Sequence, residues 1–143
     1  MSMAPSNPTK NPSSFLISLK EWVDNDHWLI GGDFNIIHYL EEKKGGVRVT
    51  SAASTLFNKF IDEVKLVDIR STNGLFTWKN KRSGERHIAS RFDRFLVSES
   101  VLAGRGDIGA TVLPATRLDH WPICLEWGNL GNFINRPFRF ENF

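Results

Sequence analysis

One stretch constrains the fold more than any other part of the sequence: residues 28–37, WLIGGDFNII. Apolar residues lead into two glycines, and Asp33 and Asn35 follow two positions apart. Because residues i and i+2 of an extended segment point to the same side, the pattern predicts a buried strand that presents both polar side chains to one site. The same residues also allow a blander interpretation, a strand followed by an Asp/Asn turn.

The composition is that of a globular protein and excludes several other classes. The chain has 143 residues, enough for one domain or part of one, with 41% hydrophobic and 24% charged residues. The net charge of +2 is too small to predict a polyanionic partner by itself. The single cysteine, Cys124, excludes an internal disulfide. No apolar run approaches the ~18 residues that span a bilayer, and no secretory signal is present, so we expect no membrane partner and a nuclear or cytoplasmic protein.

Apolar spacing predicts two helices among many short strands. The first helix follows Pro12-Ser13-Ser14, and the second begins at Thr50 or Ser51. The polar segment 41–46 reads as a surface loop. Strands are predicted at residues 28–32, 66–69, 75–78, 88–97, 110–114 and 123–127. This mixture predicts an α+β fold with helices on the faces of sheets, preceded by a flexible leader (residues 1–12) and followed by a linker and tail (residues 128–143).

Three polar clusters lie beside apolar strands and suggest a shared site. They are Asp33 with Asn35, Arg91 with Asp93, and Asp119 with His120. A histidine with a carboxylate partner can act as acid or base, carboxylates can hold Mg²⁺, and Asn or Arg donors can stabilise phosphate oxygens. The inventory therefore matches phosphodiester hydrolysis, although Asp93 could instead be a structural acid paired with Arg91.

These clusters also resemble the last three motifs of the exonuclease–endonuclease–phosphatase superfamily, which has the deoxyribonuclease I-like fold. The matching segments are GDFN (32–35), SRFDRFL (90–96) and DHWPI (119–123). Segments 41–46, 73–78 and 136–142 are similar to the endonuclease domain of plant LINE-type retroelements and the reverse-transcriptase-like proteins derived from them. The resemblance covers residues 14 to 143. It implies part of a four-layer α/β sandwich that lacks its N-terminal half, with the partial domain at residues 13–127.

The resemblance also implies a role for each matching residue. Asp33 would orient or deprotonate the attacking water, and Asn35 would contact the scissile phosphate. His120 would stabilise or protonate at the phosphate, and Asp93 would fix the tautomer of His120. Asp119 would lie on the metal side of the site, together with Asp33 and Asn35, and the implied cofactor is Mg²⁺, with Mn²⁺ as the alternative.

The arginines and the basic tip are the predicted substrate contacts. Of Arg91 and Arg94, one would brace the fold and the other would reach phosphate, and the sequence leaves open which. The segment 79–86 predicts a basic hairpin tip, in which Lys81, Arg82 and Arg86 would contact the phosphate backbone.

Two departures from the family pattern bear on activity. No counterpart of the superfamily's principal metal-binding Glu precedes Asp33, and Leu118 stands where the family has Ser. We therefore expect a Mg²⁺-dependent, DNA-nicking phosphodiesterase that is weak or inactive as this fragment. The alternative is a non-catalytic remnant that binds nucleic acid or a protein partner. A third hypothesis, a related activity of the same fold on RNA or phosphoinositides, is the least supported by the sequence. A missing half would leave one sheet face uncovered, which predicts self-association.

Overall fold

The computed structural model describes residues 16, 18–20, 23, 27–103, 107–115 and 118–128. The predicted leader and the tail beyond residue 128 lie outside the described residues. Residues 16 and 18–20 are helical, within the first helix that the sequence predicts.

The remaining elements of the described chain are short strands, two α-helices and two 3-10 helices. The 3-10 helices span Leu40–Glu42 and Gly84–Arg86. In chain order the strands and α-helices are β1 (Leu29–Asp33), β2 (Lys43–Lys44), α1 (Ala52–Glu63), β3 (Leu66–Ile69), β4 (Trp78–Lys79), β5 (Ala89–Ser90), β6 (Asp93–Ser98), α2 (Glu99–Ala103), β7 (Ile108–Val112) and β8 (Ile123–Trp127).

Three small antiparallel sheets organise the described residues. The sheet that carries the predicted motifs has the order β1-β6-β3, so β6 is central and β1 lies at an edge. A second sheet has the order β2-β5-β4, and β7 pairs with β8 in a third. This mixture of helix and antiparallel sheet agrees with the predicted α+β class.

Helix α1 covers one face of the β1-β6-β3 sheet. The Ser51 hydroxyl caps its N-terminus by accepting from Ser54 N at 3.0 Å. Phe57, Phe60 and Ile61 then fall on one side of the helix, as the spacing i, i+3, i+4 requires. They form the core with apolar residues of the sheet and of the chain before it, namely Leu16, Ile36, Leu66 and Leu96.

The predicted surface loop at residues 41–46 is wrong in one respect. Glu42 has only 1% of its surface exposed, and Lys43–Lys44 pair with β5. The local sequence EEKKGG is polar throughout, but Glu42 turns inward because two arginine side chains lie there, as described below.

Most predicted elements are found, with shifted ends. The strand predicted at 88–97 is interrupted at Arg91 and Phe92, which separate β5 from β6. The strand predicted at 75–78 begins only at Trp78, and β7 starts two residues before the predicted segment. None of the helices in the described part of the chain has the length and apolar character needed to cross a bilayer.

Candidate active site

Two carboxylates face each other where β1 and β6 meet. Asp33 and Asp93 are direct cross-strand partners in the antiparallel ladder. The neighbouring pair is closed by Phe34 N donating to Phe92 O at 2.9 Å, so Asp33 and Asp93 form a non-hydrogen-bonded pair, in which side chains lie closest. Like charges placed opposite each other are destabilising. A positive or hydrogen-bonding group between them is therefore required.

His120 supplies that group from the loop before β8. Its Nδ1 donates to Asp93 Oδ2 at 3.0 Å, and its Nε2 lies 3.9 Å from Asp33 Oδ2. The ligand atoms of Asp33, Asp93 and His120 all lie within 4.8 Å of one another. The structure thus brings together three of the predicted site residues from three distant parts of the sequence.

The two carboxylates favour the protonated imidazole of His120. Burial alone would lower the pKa of His120, but the hydrogen bond to Asp93 and the charges of Asp93, Asp33 and Asp119 raise it above its usual value. The imidazolium form therefore persists to higher pH than in a free histidine. Because the Nδ1 proton is held by Asp93, Nε2 is the nitrogen available to a substrate.

Asn35 lies just beyond the end of β1, in a turn rather than in the extended segment that the sequence predicted. The extended segment ends at Asp33, because Asn35 adopts φ 50° and its backbone N–H donates to Asp33 Oδ1 at 2.7 Å. This Asp/Asn turn is the blander of the two interpretations of the sequence. The prediction that an extended backbone aligns the two side chains is wrong, and both residues are exposed.

Asp119 lies next to the cluster without belonging to it. The residue is exposed, and its backbone carbonyl accepts from Lys79 N at 3.0 Å. Its carboxylate is not among the clustered ligand atoms of the described residues, although its charge contributes to the raised pKa of His120.

Arg91 and Arg94 are both buried, whereas the sequence predicted that one of the two would brace the fold and the other would reach phosphate. Their relative exposures are 3% and 1%, and their guanidinium groups lie in the interior. Each forms ion pairs with Glu42 and with Asp68 at 2.6–2.9 Å. Both arginines therefore brace the fold, and Asp93 is paired with His120 rather than with Arg91.

This buried quartet of two arginines and two acids is electrically balanced. Burial alone would raise the pKa of the Glu42 carboxyl, but hydrogen bonds and charge from Arg94, the His38 N–H and Arg91 hold it below its usual value. The pKa of Asp68 is lowered in the same way, against its burial, by both arginines. The arginines therefore favour the charged forms of both carboxyls, and none of this buried charge is presented to a ligand.

Thr77 supports the candidate site from the interior, and it was not among the site residues that the sequence predicted. Its side chain is buried, and Oγ1 accepts from Phe92 N at 3.0 Å and from Asp93 N at 2.9 Å. Its backbone carbonyl accepts from Trp121 N at 2.8 Å, next to His120. Thr77 thus fixes the backbone of both members of the Asp93–His120 pair. The only signal in the sequence is its place in segment 73–78, which the resemblance singled out.

The basic tip is exposed as predicted. Lys81, Arg82 and Arg86 are all exposed, and none forms an ion pair within the described residues. The Asn80 side chain shapes the tip by accepting from Ile88 N at 2.8 Å and donating to Arg86 O at 2.7 Å. At its base, Lys79 Nζ lies 4.7 Å from the centre of the Trp121 ring.

The donor set suits a hydrated divalent cation held through few protein ligands. Mg²⁺ is usually bound by one or two carboxylates and keeps several waters. Asp33 offers such a carboxylate, which is exposed and has Oδ2 directed towards the His120 side of the cluster. His120 is committed to Asp93 through Nδ1, and an imidazole nitrogen is not a ligand type that Mg²⁺ or Mn²⁺ prefers.

Comparison with known proteins adds no family assignment. The chain matches no protein-family model, and no curated protein matches its sequence.

Proposed function

We propose that this chain carries the carboxylate–histidine part of a phosphodiester hydrolase site and that its substrate is DNA. One observation supports the proposal above all: His120 is held by Asp93 and faces Asp33, with the remaining nitrogen of the ring available to a substrate. The resemblance of the three motifs to deoxyribonuclease I-like endonucleases of retroelements supplies the substrate class and the fold.

In the proposed reaction, each of four residues has a distinct task. A water oxygen attacks phosphorus while Asp33 accepts one of its protons. The bond from phosphorus to the leaving oxygen breaks, and His120 Nε2 donates its proton to that oxygen. Asp93 holds Nδ1–H and stabilises the imidazolium before transfer, as the raised pKa of His120 reflects. The amide of Asn35 donates to a non-bridging phosphate oxygen.

A divalent cation fits the exposed side of this site. Asp33, Asn35 and Asp119 would hold Mg²⁺ or Mn²⁺, which supplies Lewis-acid stabilisation of charge on the phosphate when bound. The clustered acids of the described residues are aspartates only, without a glutamate. We therefore expect turnover by this chain to be slow.

Plasmid nicking tests the proposal directly. Supercoiled DNA is incubated with the protein in Mg²⁺ or Mn²⁺, with EDTA as a blank. We expect slow nicking that is lost in Asp33→Ala and in His120→Asn and is retained in Asp62→Asn, an exposed acid of α1. Nicking that survives both site substitutions comes from a contaminant, and absence of nicking by the unaltered protein rejects the catalytic proposal.

Exposure of the basic tip favours a second candidate, nucleic-acid binding without catalysis. Three exposed cations on one hairpin can neutralise backbone phosphates. Replacing Lys81, Arg82 and Arg86 by glutamine should reduce the salt dependence of DNA affinity by about one counterion per residue. Lys59→Gln on α1 is the control and should leave the slope unchanged. An unchanged slope in the triple variant removes the tip from the interface.

Self-association is proposed at the open edge of β1. This strand pairs only with β6 among the described residues, and Leu29 is 45% exposed. Unpaired strand edges template pairing with another chain. Light scattering after gel filtration should show concentration-dependent dimerisation that a Leu29→Lys substitution suppresses. A monomer at all concentrations contradicts this proposal.

A further inference from the structure

Beyond the last bond of the β1–β6 ladder, the two strands are joined by a side chain. Phe34 N to Phe92 O is the final backbone bond between them on this side. Past it, Arg94 Nη2 donates to Ile36 O and to Arg91 O, both at 2.9 Å. The guanidinium group therefore ties the segment that follows Asp33 to the segment that precedes Asp93.

The position of Arg94 in its strand explains why it can do this. Successive strand residues point to opposite faces of a sheet, so Arg94 points with Leu96 into the α1-covered core while Asp93 points to the other face. The guanidinium lies 5.2 Å from the centre of the Phe57 ring in that core. It sits behind the pair of carboxylates without contacting either of them.

The two acids of the quartet keep the guanidinium in this place. Arg94 Nη2 donates to Glu42 Oε2 at 2.9 Å, and Nη1 donates to Asp68 Oδ2 at 2.8 Å. Glu42 Oε2 also accepts from His38 N at 2.6 Å, so the chain from Ile36 to Glu42 wraps around the guanidinium. We call this arrangement of Arg94 with Ile36 O, Arg91 O, Glu42 and Asp68 the clamp. It joins β6 to the loop that follows β1 and to the neighbouring strand β3.

We propose that Arg94 is a positioning residue that sets the separation of the Asp33 and Asp93 carboxylates and so holds His120 between them. Asp33 and Asp93 repel each other across a close pair, and the ladder ends beside them. Without the clamp the two strand ends diverge, and His120 no longer spans the gap. This inference rests on the geometry of the site and stands whether or not the site hydrolyses phosphodiesters.

The test uses two variants of the full chain. Arg94→Lys keeps the charge but replaces a planar fork with a single ammonium, which cannot serve two carbonyls and two carboxylates together. The second variant, Arg94→Met with Glu42→Gln, removes one positive and one negative charge, so the quartet stays balanced. Controls are Arg70→Lys, an exposed arginine, and Ile61→Val, which weakens the α1 core without touching the clamp.

The readout is the proton NMR signal of the His120 Nδ1–H that is bonded to Asp93, assigned by its absence in His120→Gln. We expect the signal in the unaltered protein and in both controls, and its loss in both Arg94 variants while circular dichroism shows a folded chain. Persistence of the signal in either folded Arg94 variant overturns the proposal, as does its equal loss in Ile61→Val.

Folding of the balanced variant is itself a requirement. Its apolar core is intact, so if it fails to fold while Ile61→Val folds, Arg94 serves global stability and the positioning role is rejected. A lack of nicking by the unaltered protein affects the proposed reaction alone, since the NMR signal does not depend on turnover.

Discussion

Replacing Asp68 by asparagine should unfold this protein more readily than any change at its surface. Asp68 accepts three charged hydrogen bonds, two from Arg91 at 2.6 Å and one from Arg94 at 2.8 Å, and its side chain is only 9% exposed. The asparagine side chain would keep one acceptor and turn an amide donor towards guanidinium donors. The quartet would then hold two positive charges and one negative charge in the interior.

The size of the effect follows from that imbalance. Breaking a buried ion pair from one side costs about 3–5 kcal/mol, which is a large part of the roughly 5–15 kcal/mol that stabilises a small domain. Urea unfolding at pH 7, followed by tryptophan fluorescence, should show the midpoint lowered by about 1 M or more. Asp62→Asn makes the same chemical change on an exposed residue of α1 and should stay within about 0.5 kcal/mol of the unaltered protein.

The difference in unfolding free energy between the unaltered protein and Asp68→Asn should also depend on pH. The pKa values of Asp68 and Glu42 are lower in the folded chain than their usual values of 3.8 and 4.5. The stability they contribute is complete above those usual values and is lost as the pH falls from there through the folded pKa values. The deficit of Asp68→Asn should therefore be constant above about pH 5 and shrink in more acidic buffer. A deficit no larger than that of Asp62→Asn at pH 7 would refute the description of the quartet.

Three further substitutions test separate features. Gly31→Ala would place its Cβ 2.6 Å from the Phe95 ring and should cost about 1–3 kcal/mol in urea unfolding. Thr77→Val would leave two partly buried backbone donors without an acceptor, so it should cost about 1–3 kcal/mol and weaken any nicking activity. Ser51→Ala would remove the cap of α1 and should cost about 1 kcal/mol in thermal unfolding.

Each of these has a matched control. Gly109→Ala meets no atom within 4 Å and should cost much less than Gly31→Ala. Thr77→Ser keeps the hydroxyl acceptor and should recover most of the loss, whereas equal effects of valine and serine would show that the methyl group matters instead. Ser51→Asp preserves a capping oxygen and should match the unaltered protein.

The spacing of apolar residues predicted the secondary structure correctly where a single helical or strand period dominates the segment. Ser51 followed by Phe57, Phe60 and Ile61 predicts α1 and its buried face, and the run at Leu66–Ile69 predicts β3. The prediction was poorest at residues 75–97, where the apolar segments are interrupted by polar residues that serve tertiary contacts. Strands β4 and β5 pair over only two residues each. Strand length of this kind is set by tertiary contacts and is not encoded in local β propensity.

The grouping of three side chains in the candidate site was predicted from the sequence. Motif order indicated that Asp33, Asp93 and His120 belong together, and the structure places them within 4.8 Å of one another. The backbone conformation of Asn35 was not predicted, because it depends on which of two turn-compatible structures the Asp/Asn segment adopts. The burial of Arg91 was not predicted either, because its partners Glu42 and Asp68 lie 49 and 23 residues away in sequence.

The alternation of side chains along β6 explains how two adjacent residues serve different parts of the molecule. Asp93 and Arg94 are adjacent, yet the alternation of β6 sends Asp93 to the face that His120 reaches and Arg94 to the face that α1 covers. Buried Leu96 on the core side is the sequence signal that Arg94 points inward. Because the interior acids neutralise both arginines, neither guanidinium is presented to a ligand, whereas Lys81, Arg82 and Arg86 of the basic tip are exposed. Under the proposed function, DNA affinity should therefore depend on the tip, whereas the proposed role of Arg94 is to keep the two carboxylates at a fixed separation.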